Sequence, residues 1–276
     1  IQDGISSILT QLLSVGVMHA DPHADNLLKV PRDGEPPRIG FLDFGMLSTV
    51  PETVRDALVS AVALVVFERN TVAVAELFAE LQLLPSSVVE DSERKRALSK
   101  ALDTIFDNVL DYSGNCDGST NTRIPVLRFD NLLGGLALLI GEFEFSLPPY
   151  FVNIARALAT LEGVARKLDP SFNSLQAVYP FALDRILVNP SGSQVVEGTV
   201  LQLLRCKKSG RYSTKRATAL LKDTSQFTGL SRRTLVRRFL LSRSGRSILA
   251  TVLRDNMSRI WYRPRSYSLV TNQELL

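Results

Sequence analysis

The sequence predicts a mainly α-helical fold that contains one small β-element near its start. Apolar residues recur at helical spacing along most of the chain, and the two clear β-like runs lie within residues 26–44. With 276 residues, of which 45% are hydrophobic and 22% charged, the chain can bury a sizeable core. The longest nearly apolar run, residues 57–67, is shorter than the roughly 20 residues that cross a bilayer, so no membrane span is predicted.

The chain opens with a helix that leads into a polar segment. In "GISSILTQLLSVGV" the apolar residues between Ile5 and Leu13 recur at helical spacing, and Gly16 ends the pattern. Two short β-like runs follow, "NLLKV" at 26–30 and "RIGFLDF" at 38–44. The intervening "PRDGEPP" has the proline and glycine that favour a turn, so we expect a hairpin.

Helical periodicity dominates the rest of the chain. Clusters of proline, glycine and asparagine separate the periodic segments, and the one long stretch without periodicity is "DYSGNCDGSTNTRIP" at 111–125. The predicted helices cover residues 51–68, 71–82, 87–110, 129–141, 149–168, 174–187, 194–206 and 231–255.

Three residues of the predicted helix 149–168 bear on its packing. Arg156 and Glu162 are interpreted as a solvated or intramolecular pair. Gly163 weakens a helix by roughly 1 kcal/mol relative to alanine. A glycine at this position therefore suggests close packing against another helix.

Ten residues near the start, "VMHADPHADN" at 17–26, concentrate both histidines of the chain with two aspartates and an asparagine. On a helix, His19 and His23 would share a face and could bind zinc, with Asp21 or Asp25 nearby. Pro22 between the histidines argues against that helix, and no further ligand cluster is evident in the sequence. A polar turn without chemistry is the second interpretation.

A third interpretation rests on spacing. His19, Asp21 and Asn26 fit the pattern H-x-D-x-x-x-x-N of protein-kinase catalytic loops, and Asp43-Phe44-Gly45 follows at the end of a β-run. Magnesium prefers oxygen ligands, which Asp43 and Asn26 supply. Asp21 is placed to act near the attacking hydroxyl or water, and His19 is expected to brace the loop. The two motifs together predict the carboxyl-terminal lobe of a protein-kinase-like fold.

These residues also resemble a known family. "GVMHADPHADNLL" with "FLDFGM" is similar to the UbiB/AarF-type atypical kinase-like family, and "FSLPPYFVNIARALATLEGVARKLDPSFN" and "YPFALDRIL" resemble its carboxyl-terminal helical region, particularly in the plastid branch. The resemblance covers roughly residues 1–205. It implies ATP and Mg²⁺ as cofactors, Asp21 and His19 as catalytic residues, and a nucleotide site that includes Asn26, Asp43, Phe44 and Gly45, with Asn26 and Asp43 as metal ligands.

The same resemblance implies a function and a location. It implies an atypical kinase that acts as an ATPase or as a small-molecule or lipid kinase and supports isoprenoid quinone or prenyl-lipid metabolism. A plastid location, at thylakoids or lipid droplets, is implied, with the mitochondrion as the alternative. A lipid or quinone precursor is the implied substrate.

Two departures from the family pattern leave an alternative open. Ala24-Asp25 stands where the family has Pro-Gly, which adds a carboxylate beside the predicted metal ligands. The residues that would form the nucleotide lobe are not in the sequence, so we expect a partial domain with the amino-terminal lobe absent and no ATP turnover by these 276 residues alone. The alternative is a catalytically silent pseudokinase-type scaffold. A phosphotransferase of the aminoglycoside or choline kinase type is disfavoured by the HADPH context.

Charge divides the chain into two predicted units. The segment 205–265 has 17 lysines and arginines but only two aspartates, so it carries +15 and the remainder −11, within a net charge of +4. We therefore predict a kinase-like lobe at 1–205 and a basic helical extension at 206–276.

Arginine pairs in the extension alternate with apolar residues at near-helical spacing, with a Ser-Gly break at 244–245. These residues are Leu235, Phe239, Leu240, Ile248, Leu249 and Val252. An anionic membrane surface is the expected partner, and nucleic acid is disfavoured because it does not use an apolar face.

Overall fold

The computed structural model describes residues 2–111, 124–206 and 209–261. Most of these residues are helical, which confirms the predicted mainly α-helical fold with a small β-element. The helices are α1 (Gln2–Thr10), α2 (Glu52–Glu68), α3 (Thr71–Glu80), α4 (Ser86–Glu90), α5 (Ser92–Val109), α6 (Phe129–Leu138), α7 (Ile140–Phe143), α8 (Pro149–Leu168), α9 (Ser174–Val188), α10 (Gln194–Leu204), α11 (Thr214–Thr228), α12 (Arg232–Leu241) and α13 (Arg243–Trp261). The strands are β1 (Val17–His19), β2 (Leu27–Arg32), β3 (Glu35–Phe41), β4 (Leu47–Thr49), β5 (Leu110–Asp111) and β6 (Val126–Leu127).

The amino-terminal elements lead directly into the polar segment. After α1 the chain makes a π-helical turn, Gln11–Val15, and reverses at Gly16, whose φ of 83° suits a residue without a Cβ atom. Strand β1 then pairs antiparallel with β4, and the predicted hairpin is present as β2 and β3, with Leu27 opposite Phe41. The pairing of β1 with β4 was not predicted, because each strand is only three residues long.

Helix α2 lies at the centre of the core. It packs against α3, α9 and α10, and its residues Val54, Ala57, Ala63 and Leu64 are at most 1% exposed. The apolar periodicity of the sequence therefore reports a real buried helix, whose large number of small and β-branched residues lets three neighbours approach it.

The predicted helices differ from the structure at three breaks and in one omitted helix. The predicted helix 87–110 is divided at Asp91, whose side chain accepts hydrogen bonds from the N–H groups at the start of α5. The predicted helix 129–141 is divided at Leu139. In the basic extension the break lies at Ser242, and the Ser-Gly pair at 244–245 belongs to α13. Helix α11 was missed altogether, because its inward face includes the polar residues Asp223 and Thr224.

Two further expectations concern the packing of loops and glycines. Residues 112–123 of the predicted loop 111–125 lie outside the described residues, and the flanking strands β5 and β6 pair with each other. A Cβ atom on Gly163 would have no neighbour within 4 Å, so the predicted close helix packing at this glycine is wrong.

The basic extension packs on the helical body as far as the structure describes it. Helices α11, α12 and α13 all contact α9, and α11 and α13 also contact α10. Arg216 on α11 forms an ion pair with Glu68 of α2, and Arg238 on α12 forms one with Asp184 of α9 at 3.1 Å. Residues 262–276 lie outside the described part. In the parts of the chain that the structure describes, no helix has the length and hydropathy needed to span a bilayer.

Candidate functional site

His19 is the buried centre of the candidate site. It ends β1 and is 1% exposed. The backbone N–H of Asp21 donates to Nδ1 of His19 at 3.2 Å, so we assign the ring proton to Nε2. Nε2 then donates to the carbonyl oxygens of Leu42 and Asp43, at 2.9 and 3.1 Å. The backbone N–H of His19 itself donates to the side chain of Gln11, which lies in the π-helical turn after α1.

These bonds connect the two motifs that the sequence singled out. One imidazole holds the loop that begins at Asp21 and the backbone of Leu42 and Asp43, 23 and 24 residues further along the chain. A buried polar side chain with all its partners in place fixes the geometry around it, since each bond would be costly to lose. The expected bracing role of His19 thus has a defined set of contacts.

The carboxylate of Asp21 is partly exposed and has two cationic or titratable neighbours. Nη2 of Arg156 lies 3.2 Å from Oδ1, and Nε2 of His23 lies 3.8 Å from Oδ2. The Asp21 side chain is 28% exposed and that of Arg156 is 56% exposed. Asp21 therefore faces a solvent-accessible surface, as a group that contacts a substrate must.

Asn26 closes the loop and approaches the second motif. It is 7% exposed and ends a short 3₁₀ turn, Ala24–Asn26. Its Nδ2 donates to the backbone oxygen of Asp21 at 3.1 Å, which leaves Oδ1 as the atom available to a cation. The backbone oxygen of Asn26 accepts from the N–H of Leu42 at 2.9 Å. Because Leu42 directly precedes Asp43, this hydrogen bond keeps Asn26 close to the Asp-Phe-Gly segment.

Asp43 is exposed and has a backbone conformation that few residues adopt. Its φ is 52°, in the left-handed region, and its Oδ1 accepts a hydrogen bond from the N–H of Gly45 at 3.1 Å. Aspartate tolerates this region better than most residues, and such conformations are concentrated at functional sites. Phe44 is 63% exposed and lies edge-on to the ring of His19, with centroids 5.8 Å apart.

Asp25, which departs from the family pattern, points into solvent. Its side chain is 98% exposed, and Nδ1 of His23 lies 3.7 Å from its Oδ2. The zinc interpretation is also disfavoured, because both ring nitrogens of His19 are used by backbone groups. Within the described ranges, no three His, Cys, Asp or Glu side chains gather as a metal site.

Arg156 is the site residue that the sequence interpretation missed. The interpretation paired it with Glu162, but Glu162 lies 3.7 Å from Arg166, whereas Arg156 reaches Asp21. Helix α8, which carries Arg156, contacts β4, and Nδ2 of Asn153 on the same helix donates to Oγ of Ser48 at 3.4 Å. No short-range pattern could reveal a partner 135 residues away.

The start of α8 is fixed by a second contact. The hydroxyl of Tyr150 donates to the backbone oxygen of Leu81 at 2.6 Å, and burial raises the pKa of Tyr150 above its ordinary value. Tyr150 therefore stays neutral at physiological pH and keeps donating this hydrogen bond. Through it, the helix that carries Arg156 is tied to the region after α3.

A cleft of about 1320 Å³ lies away from these residues. Its lining includes residues of α1, the π-helical turn, α9 and α12, among them Leu13, Phe181 and Arg238, and none of the residues at 19–45. The predicted site is instead an open surface.

The helical body, the loop braced by His19 and the Asp-Phe-Gly segment define a class: the carboxyl-terminal lobe of a kinase-like fold. Two family models match the chain at corresponding places. The ABC1 atypical kinase-like domain matches residues 1–78, which contain the loop and the Asp-Phe-Gly segment, and the UbiB helical domain matches residues 120–173, which contain Arg156. The chain belongs to the UbiB (ABC1) family of atypical kinase-like proteins, and its chloroplastic relatives support the plastid-like branch.

Three similar proteins come from Arabidopsis thaliana and Synechocystis. The chain is 32% identical to Protein Activity of BC1 Complex Kinase 3, chloroplastic, of Arabidopsis thaliana, over 92% of this chain and 33% of that protein. It is 34% identical to an aarF domain-containing protein kinase, chloroplastic, of the same plant, over 69% of this chain and 25% of that protein. A Synechocystis protein is 31% identical, over 83% of this chain and 30% of that protein. The chain thus spans a quarter to a third of these relatives, and no solved structure matches it.

Proposed function

We propose that this chain acts as the carboxyl-terminal lobe of an ATP- and Mg²⁺-dependent atypical kinase or ATPase. One observation carries the proposal: the buried imidazole of His19 bonds both the loop of Asp21 and the backbone of Leu42 and Asp43. This arrangement holds an acceptor-side carboxylate and a metal-side carboxylate in a fixed relation. Phosphoryl transfer depends on such positioning more than on covalent chemistry by the protein.

The residues present fit a magnesium ion. Asp43 offers an exposed carboxylate, and Asn26 offers an amide oxygen, since its nitrogen is already used by Asp21. Magnesium is commonly bound by one or two protein oxygens, with phosphates and water completing the octahedron. When bound, Mg²⁺ would neutralise part of the charge on the nucleotide phosphates.

The remaining roles belong to side chains at the open surface. Asp21 accepts the proton of the attacking hydroxyl or water, and Arg156 orients its carboxylate at 3.2 Å. Phe44 packs against the ring of His19 and keeps the Asp-Phe-Gly segment against the loop. Gly45 donates to Oδ1 of Asp43 and thereby orients the metal-side carboxylate.

The cellular role is proposed from the family. Two of the relatives above carry chloroplastic in their names, which supports a plastid location for this chain, at thylakoids or lipid droplets. The proposed substrate is a lipid or quinone precursor in isoprenoid quinone or prenyl-lipid metabolism. This part of the proposal rests on family membership and not on a cavity of the site.

Exchange of the metal-side carboxylate tests the proposal. In the full-length protein, Asp43→Asn should abolish Mg²⁺-dependent ATP binding, measured by calorimetry, and Asn26→Ala should weaken it less, because the carboxylate carries the charge. Asp25→Asn is the matched control: it removes the same charge from a side chain that points into solvent, and binding should not change. Undiminished binding in the Asp43 variant would contradict the metal assignment.

A non-catalytic scaffold is the second candidate, and one observation favours it. The carboxylate of Asp21 is already engaged by Arg156, which could block a substrate hydroxyl. A scaffold would bind its partner equally well with Asp21→Asn, and the full-length protein would show no ATP turnover that depends on Asp21. Turnover that is lost in Asp21→Asn excludes this candidate.

A further inference from the structure

Helix α12 has apolar side chains on two faces, but the body covers only one. Leu235 is 2% exposed, and Phe239 packs partly buried against the core, on the side where Arg238 reaches Asp184. On the outer face, Val236, Leu240 and Leu241 are 38%, 43% and 68% exposed. Their spacing of four and one places them together on one side of the helix.

The outer face also has a cationic border. Arg232, Arg233 and Arg237 line the same shallow apolar patch as the three exposed side chains. Among the described residues none of these arginines forms an ion pair, in contrast to Arg238 on the inner side. An exposed apolar patch marks an interaction surface, and a border of arginines without acidic partners suits a partner that offers both an apolar and an anionic surface.

We propose that the outer face of α12 docks onto an anionic membrane surface. An amphipathic helix lies in the bilayer interface when its apolar side enters the acyl boundary and its arginines contact lipid phosphates. Val236, Leu240 and Leu241 form the inserting side, and Arg232, Arg233 and Arg237 form the border. The inner face stays on the body, so docking requires no unfolding of the helix.

The structure changes which residues belong to this surface. Of the six apolar residues predicted from the sequence, Leu235 and Ile248 are buried, and Phe239 and Val252 pack against the core. Only Leu240 and Leu249 are exposed. The helical spacing of the six apolar residues mainly identified the side of α12 and α13 that packs on the helical body. Core packing and membrane insertion require the same spacing, so the sequence alone could not distinguish them.

The apolar strip separates this proposal from binding to nucleic acid or to an acidic protein. A phosphate backbone would use the arginines alone, and its affinity would not depend on Leu240 or Leu241. A membrane uses both sets of side chains, so loss of either set should weaken binding. This double dependence is the property to measure.

The test is sedimentation of the 276-residue chain with vesicles. Equimolar phosphatidylglycerol and phosphatidylcholine should bind the chain at least about tenfold more strongly than phosphatidylcholine alone, and added salt should reduce the difference. Two variants are compared with the parent chain: Arg232→Glu with Arg233→Glu and Arg237→Glu, and Leu240→Ser with Leu241→Ser. Each should lower binding to the anionic vesicles by about tenfold or more.

Matched controls come from exposed side chains elsewhere. Arg96→Glu with Lys100→Glu changes cations on α5, and Leu168→Ser changes a side chain on α8 that is as exposed as Leu241. Both should bind like the parent chain, and all variants should keep its helical circular dichroism. Equal binding to both vesicle types, or leucine variants that bind like the parent, overturns the proposal. The latter result, together with tight DNA binding, would indicate nucleic acid instead.

Discussion

At the scale of single residues, Arg156 gives the sharpest prediction for the proposed enzyme. Because its guanidinium orients the carboxylate of Asp21, Arg156→Ala in the full-length protein should lower kcat by on the order of tenfold. The KM for ATP and the Tm should not change, because the side chain of Arg156 is more than half exposed. Steady-state kinetics with a thermal melt measures all three quantities.

Two further variants make this prediction specific. Arg156→Lys should recover part of the activity, since a lysine restores the charge but not the planar geometry. Arg166→Ala, on the same helix, removes a partner of Glu162 and should leave kcat unchanged. A rise in turnover for Arg156→Ala would show that the arginine blocks the site, as the scaffold candidate implies.

Sequence spacing could locate some site residues and not others. His19, Asp21 and Asn26 lie within eight residues, and the Asp-Phe-Gly segment follows after one hairpin, so local pattern is enough to place them near one another. Arg156 reaches the site because α8 packs against β4, and a contact between such distant segments produces no local sequence pattern. The left-handed backbone of Asp43 was not predicted either, because aspartate adopts this conformation in only a minority of positions.

At the scale of elements, the corner between α12 and α13 depends on Gly245. A Cβ atom at this position would overlap the backbone carbonyl of Phe239, which cannot move without disturbing α12. Gly245→Ala should therefore lower the free energy of unfolding by about 2 kcal/mol, in the range of overpacked sites. Urea denaturation of the 276-residue chain measures the change.

Glycines that meet no neighbour provide the control. Gly163 and Gly198 lie inside α8 and α10, where an added Cβ atom would contact nothing within 4 Å. Alanine at either position should raise the free energy of unfolding by about 0.5–1 kcal/mol, since it reduces the freedom of the unfolded chain. Equal effects at all three glycines would contradict the proposed corner contact.

Helices whose inward residues are mostly apolar were predictable from the sequence, and a helix with polar residues on its inward face was not. The segments 149–168 and 174–187 correspond closely to α8 and α9, because most of their buried positions are apolar. Helix α11 buries Asp223 and Thr224 beside Leu220, so its inward face does not read as hydrophobic. Its ends still carried local signals, Ser213 as an N-cap and Gly229 in the left-handed conformation.

At the scale of the whole molecule, a buried ion pair connects α2 with α9. Nη2 and Nε of Arg185 lie 2.8 and 3.0 Å from Oδ1 of Asp56, and Oγ of Ser191 donates to Oδ2 at 2.6 Å. Arg185→Ala should lower the free energy of unfolding by about 3–5 kcal/mol, because the carboxylate loses its partner in the core. Thermal and urea unfolding check this value.

An exposed pair is the comparison. Arg94 and Glu144 lie 3.0 Å apart, but both side chains are more than 40% exposed, so Arg94→Ala should cost at most about 1 kcal/mol. Replacement of Asp56 and Arg185 together by apolar residues of similar volume should recover much of the lost stability. If Arg185→Ala lowers the free energy of unfolding no more than Arg94→Ala does, the buried ion pair does not stabilise the fold by the expected amount.

The central position of α2 also affects how the protein is made. Asp56 and Arg185 are 129 residues apart, and α2 reaches its buried state only when α9 and α10 pack on it. At usual rates of synthesis, on the order of ten seconds separates the appearance of α2 from that of its partner helix. During this interval the nascent chain exposes α2, which contains the longest nearly apolar run of the sequence, to chaperones and to neighbouring chains on the ribosome.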